Sequence, residues 1–258
     1  MIITLLTDFG LKDAFVGTMK GVILGICPKA AIVDLTHEID PQRIAGAAYV
    51  LKTAYPYFPT GAIHVCVVDP GVGTERRPIC LRAQGQYFIG PDNGLFSYVL
   101  RASEAWEGVV IQNPIYRLPE RGHTFHGRDV FSPAAAHLAR GVPMAEFGEE
   151  LRDPVTLLDL DPATTNEQMV GRVIHFDRFG NAITNITKAE FDPWRGGRTA
   201  RILAGDKPVP GPLRTYAEVP PGEPLALFGS EEHLEISVNL GSAREALGLG
   251  IGTEVRVV

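Results

Sequence analysis

The feature that most constrains this chain is the alternation of short apolar runs with helical patterns across its first two thirds. Ile2 to Thr7 reads as a buried strand that ends at Asp8, Phe9 and Gly10. Asp13 stands where it can cap a helix reaching Ile26, which Pro28 stops. Ala31 to Leu35 is a second strand. Asp40 followed by Pro41 reads as a helix start, with proline at the first helical position and apolar spacing to about Tyr55. Ala62 to Val68 is nearly all apolar, as a strand buried on both faces requires. Ile79 to Arg82 and Gln86 to Ile89 form a hairpin pattern around Gly85. Asp92 to Arg101 and Val130 to Arg140 read as helices, the second closed by Gly141. Strand, helix and strand at this spacing imply right-handed crossovers, hence a mainly parallel sheet with helices on both sides.

The pattern changes after Asp153. Residues 159–167 are polar, contain a proline and read as a connector. Beyond them come short strand candidates: Gly171 to Phe176, Ala182 to Ile186, Thr199 to Leu203, Pro224 to Phe228, Leu234 to Val238 and Glu254 to Val258. Turn-rich stretches separate them, which predicts a small β-barrel or sandwich. The reading is therefore an α/β domain over 1–158 and a smaller β-rich domain over 168–258.

Composition narrows the partners. The 258 residues are 45% hydrophobic and 21% charged, enough apolar content for a sizeable core. A formal charge of −6 argues against nucleic acid or an anionic membrane surface as partner, and suits a cationic ligand. Cys27, Cys66 and Cys80 make no CxxC pair, as in a reducing compartment. Asp8 interrupts the first apolar run, no basic segment opens the chain, and no stretch approaches the ~20 apolar residues of a membrane span. A soluble, cytoplasmic protein is expected.

Several apolar strands run into an acidic residue followed by glycine-bearing sequence: Asp8-Phe9-Gly10, Asp69-Pro70-Gly71-Val72-Gly73, Asp92-Asn93-Gly94 and Asp177-Arg178-Phe179-Gly180-Asn181. Ligands of open α/β sheets bind outside the carboxyl ends of the strands. Carboxylates there can accept the two hydroxyls of a ribose, and glycine lets backbone come close to a ligand. Each instance alone is also ordinary turn chemistry. Four together point to a shared polar rim.

Thr124-Phe125-His126-Gly127-Arg128-Asp129 is a second cluster. Asp129 suits a helix N-cap. His126 and Arg128 have no such evident structural task, and His126 can be read as a catalyst or as a satisfied structural histidine. His37 follows the second strand and can cap it or line the rim, whereas His64 and His137 read as structural. The chain has no HExxH or CxxC metal spacing, no Walker loop, no GxGxxG after the first strand and no GxSxG elbow. From the residues alone no zinc spacing is present, and the chemistry stops at a polar, nucleoside-compatible rim.

Thr7-Asp8-Phe9-Gly10, Val67-Val68-Asp69-Pro70-Gly71-Val72-Gly73-Thr74, Gly90-Pro91-Asp92-Asn93-Gly94, Thr124-Phe125-His126-Gly127-Arg128-Asp129 and Phe179-Gly180-Asn181 occur in this order. Together they resemble the S-adenosyl-L-methionine (SAM) hydroxide adenosyltransferase family, relatives of the SAM-dependent fluorinase and chlorinase. The resemblance spans nearly the whole chain. It implies hydrolysis of SAM to adenosine and methionine, with SAM as substrate, no cofactor, and a homotrimer whose sites lie between neighbouring subunits. By motif position, Asp8 would hold the ribose hydroxyls, Phe179 and Asn181 the adenine, and Asp177 the amino-acid end. Asp69, Arg76 and His126 would form the water-activating triad, with Arg77 adjacent to Arg76 and separated from it only by register. The halogenases carry tyrosine at the place of Asp69, a Tyr-Ser pair at that of His126-Gly127, and an insertion absent here. These differences point to water as nucleophile. Two other readings stay open: a metal-dependent phosphohydrolase using Asp8, Asp13, Asp69 and Asp92, and a non-catalytic nucleoside sensor.

Overall fold

In the computed structural model, which describes residues 1–119 and 123–258, the chain divides into two compact units, Met1–Leu157 and Leu158–Val258. The first is built on one sheet of six strands: β1 (Ile2–Thr7), β2 (Ala31–Thr36), β3 (Ile63–Val67), β4 (Pro78–Ala83), β5 (Gln86–Pro91) and β6 (Trp106–Val110). Their order is β2-β1-β3-β5-β4-β6. The pairs β1/β2, β1/β3 and β3/β5 are parallel, while β4 pairs antiparallel with β5 and β6.

Strand side chains alternate between the two faces. Ile3 and Leu5 enter a layer with Met19 and Ile23 of α1 (Phe15–Ile26) and Ala134 and Ala135 of α4 (Ser132–Ala139). Leu6 enters the opposite layer with Ala47 and Leu51 of α2 (Ile44–Ala54) and Val99 of α3 (Ser97–Arg101). Helices thus cover both faces, as the alternation predicts. Each fully buried Leu or Ile contributes roughly 1.5–3 kcal/mol, so these two layers dominate the unit's stability.

One polar line crosses the second layer. His64 Nδ1 lies 2.8 Å from Thr4 Oγ1 and His64 Nε2 lies 2.7 Å from Gln86 Oε1, while the Gln86 amide donates to the carbonyls of Tyr55 and Phe58. Every member is bonded, so burial is tolerated. Burial pulls the His64 pKa down from 6.5 to about 4, against a smaller upward pull from Gln86. The ring is therefore neutral and stacks on Phe88 at 5.0 Å. Cys66 and Cys80 are fully buried and burial pushes their thiols up, so they act as small apolar side chains.

The second unit is an antiparallel sheet in the order β11-β10-β14-β8-β9-β13-β12, with β7 beside β8. Its strands are β7 (Ala163–Thr164), β8 (Met169–Phe176), β9 (Ala182–Thr187), β10 (Ile202–Ala204), β11 (Lys207–Val209), β12 (Pro224–Phe228), β13 (His233–Val238) and β14 (Glu254–Val257). Just after β11, the Pro210 carbonyl accepts from Ala226 N–H at 2.7 Å and Leu213 N–H donates to the Ala226 carbonyl at 2.8 Å. These bonds bring the two ends of the sheet together into a nearly closed barrel. Val173, Ile186, Ile236 and Val255 fill it.

Several local expectations are corrected. Asp13 does not cap α1, whose N-cap is Ala14 without a side-chain bond. Pro41 does not open α2. Arg43 N–H donates to the Asp40 carbonyl at 3.1 Å, closing a turn with Pro41 and Gln42 at its centre, and the helix starts at Ile44. Helix α3 spans only Ser97–Arg101, because Asp92 and Asn93 are held by other bonds: Val155 N–H donates to Asp92, and the Asn93 amide to the Val68 carbonyl. Asp129 caps nothing. It lies inside a π-helical turn, Gly127–Phe131, that leads into α4, and its carboxylate pairs with Arg128. Residues 159–167 belong to the second unit, where Ala163 and Thr164 pair with β8. Among the described residues no helix is long and apolar enough to cross a membrane.

Candidate active site

Thr7 and Val67 are partners in the parallel register of β1 and β3, so the chain leaves the sheet side by side at Asp8 and Asp69. This is the carboxyl end of adjacent parallel strands, where open α/β sheets bind ligands. A cavity of about 280 Å³ opens there, lined among others by Asp8, Phe9, Gln42, Asp69, Phe125 and His126. A larger recess of about 780 Å³ flanks β6, far from these strand ends, and its charged groups include the surface pair Arg82–Glu107.

Two successive turns shape the segment after Asp69. Val72 N–H donates to the Asp69 carbonyl at 3.2 Å and Thr74 N–H to the Gly71 carbonyl at 3.1 Å. The reversal brings Arg76 back onto Asp69. Arg76 Nε lies 3.0 and 2.9 Å from the two carboxylate oxygens, and Nη2 also donates to Oδ2. The same Nη2 reaches His126 Nδ1 at 2.6 Å. The Asp69 and Arg76 side chains are only 5% and 8% exposed, so this is a shielded pair rather than a surface one. Phe131 forms the floor, its ring 5.4 Å from the guanidinium. Arg76 Nη1 is buried with no hydrogen-bond partner. The guanidinium's partners Asp69 and His126 line the cavity, and a buried guanidinium donor without a partner has capacity for one more oxygen.

The π-helical turn places His126. π-turns inside helices recur at functional sites because they push one residue out of register. Phe125 packs edge-on to Phe9 at 6.0 Å, and a Cβ on Gly127 would stand 3.1 Å from Met19 Sδ of α1. A side chain at 127 would have to push Met19 aside by a few tenths of an ångström, so glycine fits this turn against α1 without adjustment.

Arg77 goes elsewhere. Its Nε and Nη2 bind Asp92 Oδ2 at 2.8 and 2.6 Å, and Nη1 binds Asp153 Oδ1 at 2.7 Å. Consecutive residues of extended chain project to opposite sides, which separates the two arginines. The register question is decided in favour of Arg76 as the partner of Asp69 and His126. Asp92 is consumed by the Arg77 clamp, so it does not join Asp8 and Asp69 in a carboxylate group. Among the described residues, no group of three or more His, Cys, Asp or Glu is arranged to hold a metal ion.

In the second unit, Asp177, Phe179 and Asn181 occupy the hairpin turn between β8 and β9. Asp177 Oδ1 accepts from Phe179 N–H and Asn181 N–H, both at 2.9 Å, and Oδ2 accepts from the Asn181 amide at 2.8 Å. The carboxylate organises its own turn. Gly180 has φ +84°, and a Cβ there would fall 2.2 Å from Ser242 Oγ, so both backbone and space require glycine. The turn leaves the Phe179 ring 76% exposed and Asn181 buried. Two residues around the site carry no sequence signal: Phe131, buried against Arg76 inside an apolar helix pattern, and the cavity residue Gln42, whose φ is +66°.

Residues 3–148 match the family model of the SAM hydroxide adenosyltransferase N-terminal domain, and residues 171–256 that of its C-terminal domain. The chain is 45% identical to an (R)-S-adenosyl-L-methionine hydrolase of Thermus thermophilus, over 98% of each chain. It is 28% identical to a fluorinase of Nocardia brasiliensis, over 99% of this chain and 96% of the relative. A crystal structure of a conserved protein from Thermotoga maritima superposes with a TM-score of 0.90 at 37% identity, covering 100% of this chain and 99% of that one. Matched by both domain models and by relatives along its whole length, the chain belongs to the SAM hydroxide adenosyltransferase family.

Proposed function

We propose that this protein hydrolyses SAM to adenosine and L-methionine by in-line attack of water on the ribose 5′ carbon. The observation that carries the reading is the Asp69–Arg76–His126 constellation, whose Asp69 and His126 line the strand-end cavity and whose Arg76 Nη1 is buried and unpaired. The relatives named SAM hydrolases support it.

The sulfonium makes methionine a neutral thioether leaving group that needs no proton. The work lies in the nucleophile: water must be aligned with the C–S bond and relieved of a proton. Arg76 Nη1 donates to the water oxygen and stabilises its developing negative charge. Because a guanidinium only donates, His126 Nδ1 is the acceptor in the Arg76 contact, and the neutral ring carries its proton on Nε2. His126 cannot take up a proton at Nδ1 without breaking that contact. Asp69, whose Oδ1 accepts only from Arg76 Nε and keeps a further lone pair, is therefore the proton acceptor, and it passes the proton to solvent after the C–O bond has formed and the C–S bond has broken.

In this reading Asp8 accepts the ribose hydroxyls, Phe179 and Asn181 hold adenine, and Asp177, by organising their turn, supports the amino-acid end. The exposed Phe179 ring is suited to stacking. No metal or other cofactor takes part, so a chelator leaves the rate unchanged. The active form is a homotrimer with sites between neighbouring subunits and no nucleic-acid or membrane partner, in the cytoplasm. Sedimentation equilibrium checks the assembly against a chain mass of 28.0 kDa.

Turnover of SAM in ¹⁸O-labelled water with chloride present tests the reaction. Labelled adenosine plus methionine is the expected outcome. Formation of 5′-chloroadenosine, or unlabelled adenosine, would overturn it.

A further inference from the structure

The connection from β2 to α2 folds over the Asp8 turn and holds it at three points. The His37 carbonyl accepts from Gly10 N–H at 2.8 Å. Its ring Nδ1 lies 2.9 Å from Thr7 Oγ1, and that hydroxyl accepts from Phe9 N–H at 3.2 Å. Gln42 N–H donates to Asp8 Oδ2 at 2.8 Å. Behind the ring, His37 Nε2 faces Asp34 Oδ1 at 3.1 Å, and Lys20 Nζ holds the other Asp34 oxygen at 2.6 Å. His37 is 4% exposed, a buried strut rather than a surface group.

The turn carrying Gln42 is shaped for this contact. With Pro41 in the second position and φ +66° at Gln42, the Asp40–Arg43 turn has the type II backbone, whose third position ordinarily takes glycine. Types I and II differ by a flip of the central peptide, whose N–H belongs to the third residue. A glutamine in this turn would ordinarily favour type I, which turns that N–H the other way. The unusual backbone is thus what aims the Gln42 N–H at Asp8. Backbone held in a sparsely populated region clusters where geometry matters for function.

We propose that His37 is a positioning residue for nucleoside binding. With Gln42 it fixes the Asp8 turn so that the carboxylate presents its remaining lone pairs to the ribose hydroxyls. This rests on the reading above that Asp8 takes those hydroxyls. Hydrogen bonds to a carboxylate reward accurate placement, and a free-turning Asp8 loses that reward without losing contact with the base.

The test compares affinities of the full-length protein for adenosine and 2′,3′-dideoxyadenosine by calorimetry. Wild type prefers adenosine. His37→Ala loses about tenfold of that preference through weaker adenosine binding, while dideoxyadenosine affinity stays within about threefold. His37→Asn, whose side chain can still reach Thr7, recovers most of it. Thr7→Val removes the hydroxyl between His37 and Phe9 without changing side-chain size, and serves if His37→Ala does not fold. A merely structural His37 lowers the melting temperature and weakens both ligands equally. If Asp8→Ala abolishes the preference while His37→Ala and Thr7→Val keep it, the positioning role is overturned and the ribose reading stands. If Asp8→Ala itself keeps the preference, both fall.

Discussion

Arg76 and Arg77 carry the same side chain one residue apart, and the fold gives them different work. Arg76 is shielded between Asp69 and His126, while Arg77 ties Asp92 to Asp153. Exchanging Asp69 or His126 for alanine is expected to lower kcat by ~10²–10⁴ with KM for SAM changed only a few-fold, because the loss falls on water activation. Steady-state kinetics checks this, and equal losses in binding and turnover would refute the assignment. Arg77→Ala is expected to leave kcat near wild type and to destabilise by about 3 kcal/mol or more, since the Asp92 side chain is 2% exposed and would lose its counter-charge. Urea titration measures that. Sequence could not choose between the two arginines, because Arg77's partner Asp153 is distant along the chain and the turn after Asp69 sets the register. Asp177 shows the opposite failure. Its motif was legible, but three donors of its own turn occupy the carboxylate.

At the scale of elements, the parallel sheet carries a pH dependence. His64 is held neutral by burial in β3, its pKa lowered to about 4 from 6.5. A base depressed in this way contributes stability that is complete above pH 6.5 and is lost as pH falls toward 4, where the unfolded chain binds the proton and the folded one does not. The loss by pH 4 is about 3 kcal/mol. Unfolding titrations between pH 7 and 4 are expected to show this slope, and His64→Gln, which cannot take up a proton, is expected to flatten it. Helix α1 makes a second prediction. Gly17, Gly21 and Gly25 line its exposed side with open space around each missing Cβ. Gly21→Ala is expected to stabilise by ~0.5–1 kcal/mol, seen as a melting midpoint higher by about 2 °C. A fall instead would mean that another backbone lies against that face. The strands with dense apolar runs, β1 and β3, were legible because burial on both faces leaves little choice of side chain. Strand β6 was missed, since Trp106-Glu107-Gly108 interrupts its apolar run with a charge and a glycine. Helix α5 (Lys188–Arg195) was missed despite a signal: Thr187 and Glu190 form a reciprocal capping box, but Pro193 within the helix masks the pattern.

Over the whole molecule, each unit has its own sheet and its own buried cluster. Helix and strand alternate in the first and strands dominate the second, two ways of covering a sheet. Leu158 is 96% exposed and the Asp159 side chain 68% exposed, so the chain between the units offers little resistance to a protease. Limited digestion is expected to yield two fragments that meet near Leu158, read by mass spectrometry; first cuts inside either sheet would contradict it. The strand-end cavity also carries a consequence for change over time. The turn at Asp8 leaves β1, and the Asp69–Arg76 segment leaves β3, so the two parts share a frame without sharing a segment of chain. With the proposed roles of Asp8 and Asp69, mutations can remodel the attacking side while the grip on the nucleoside is inherited intact, and a lineage can thereby exchange one nucleophile for another without first losing its substrate.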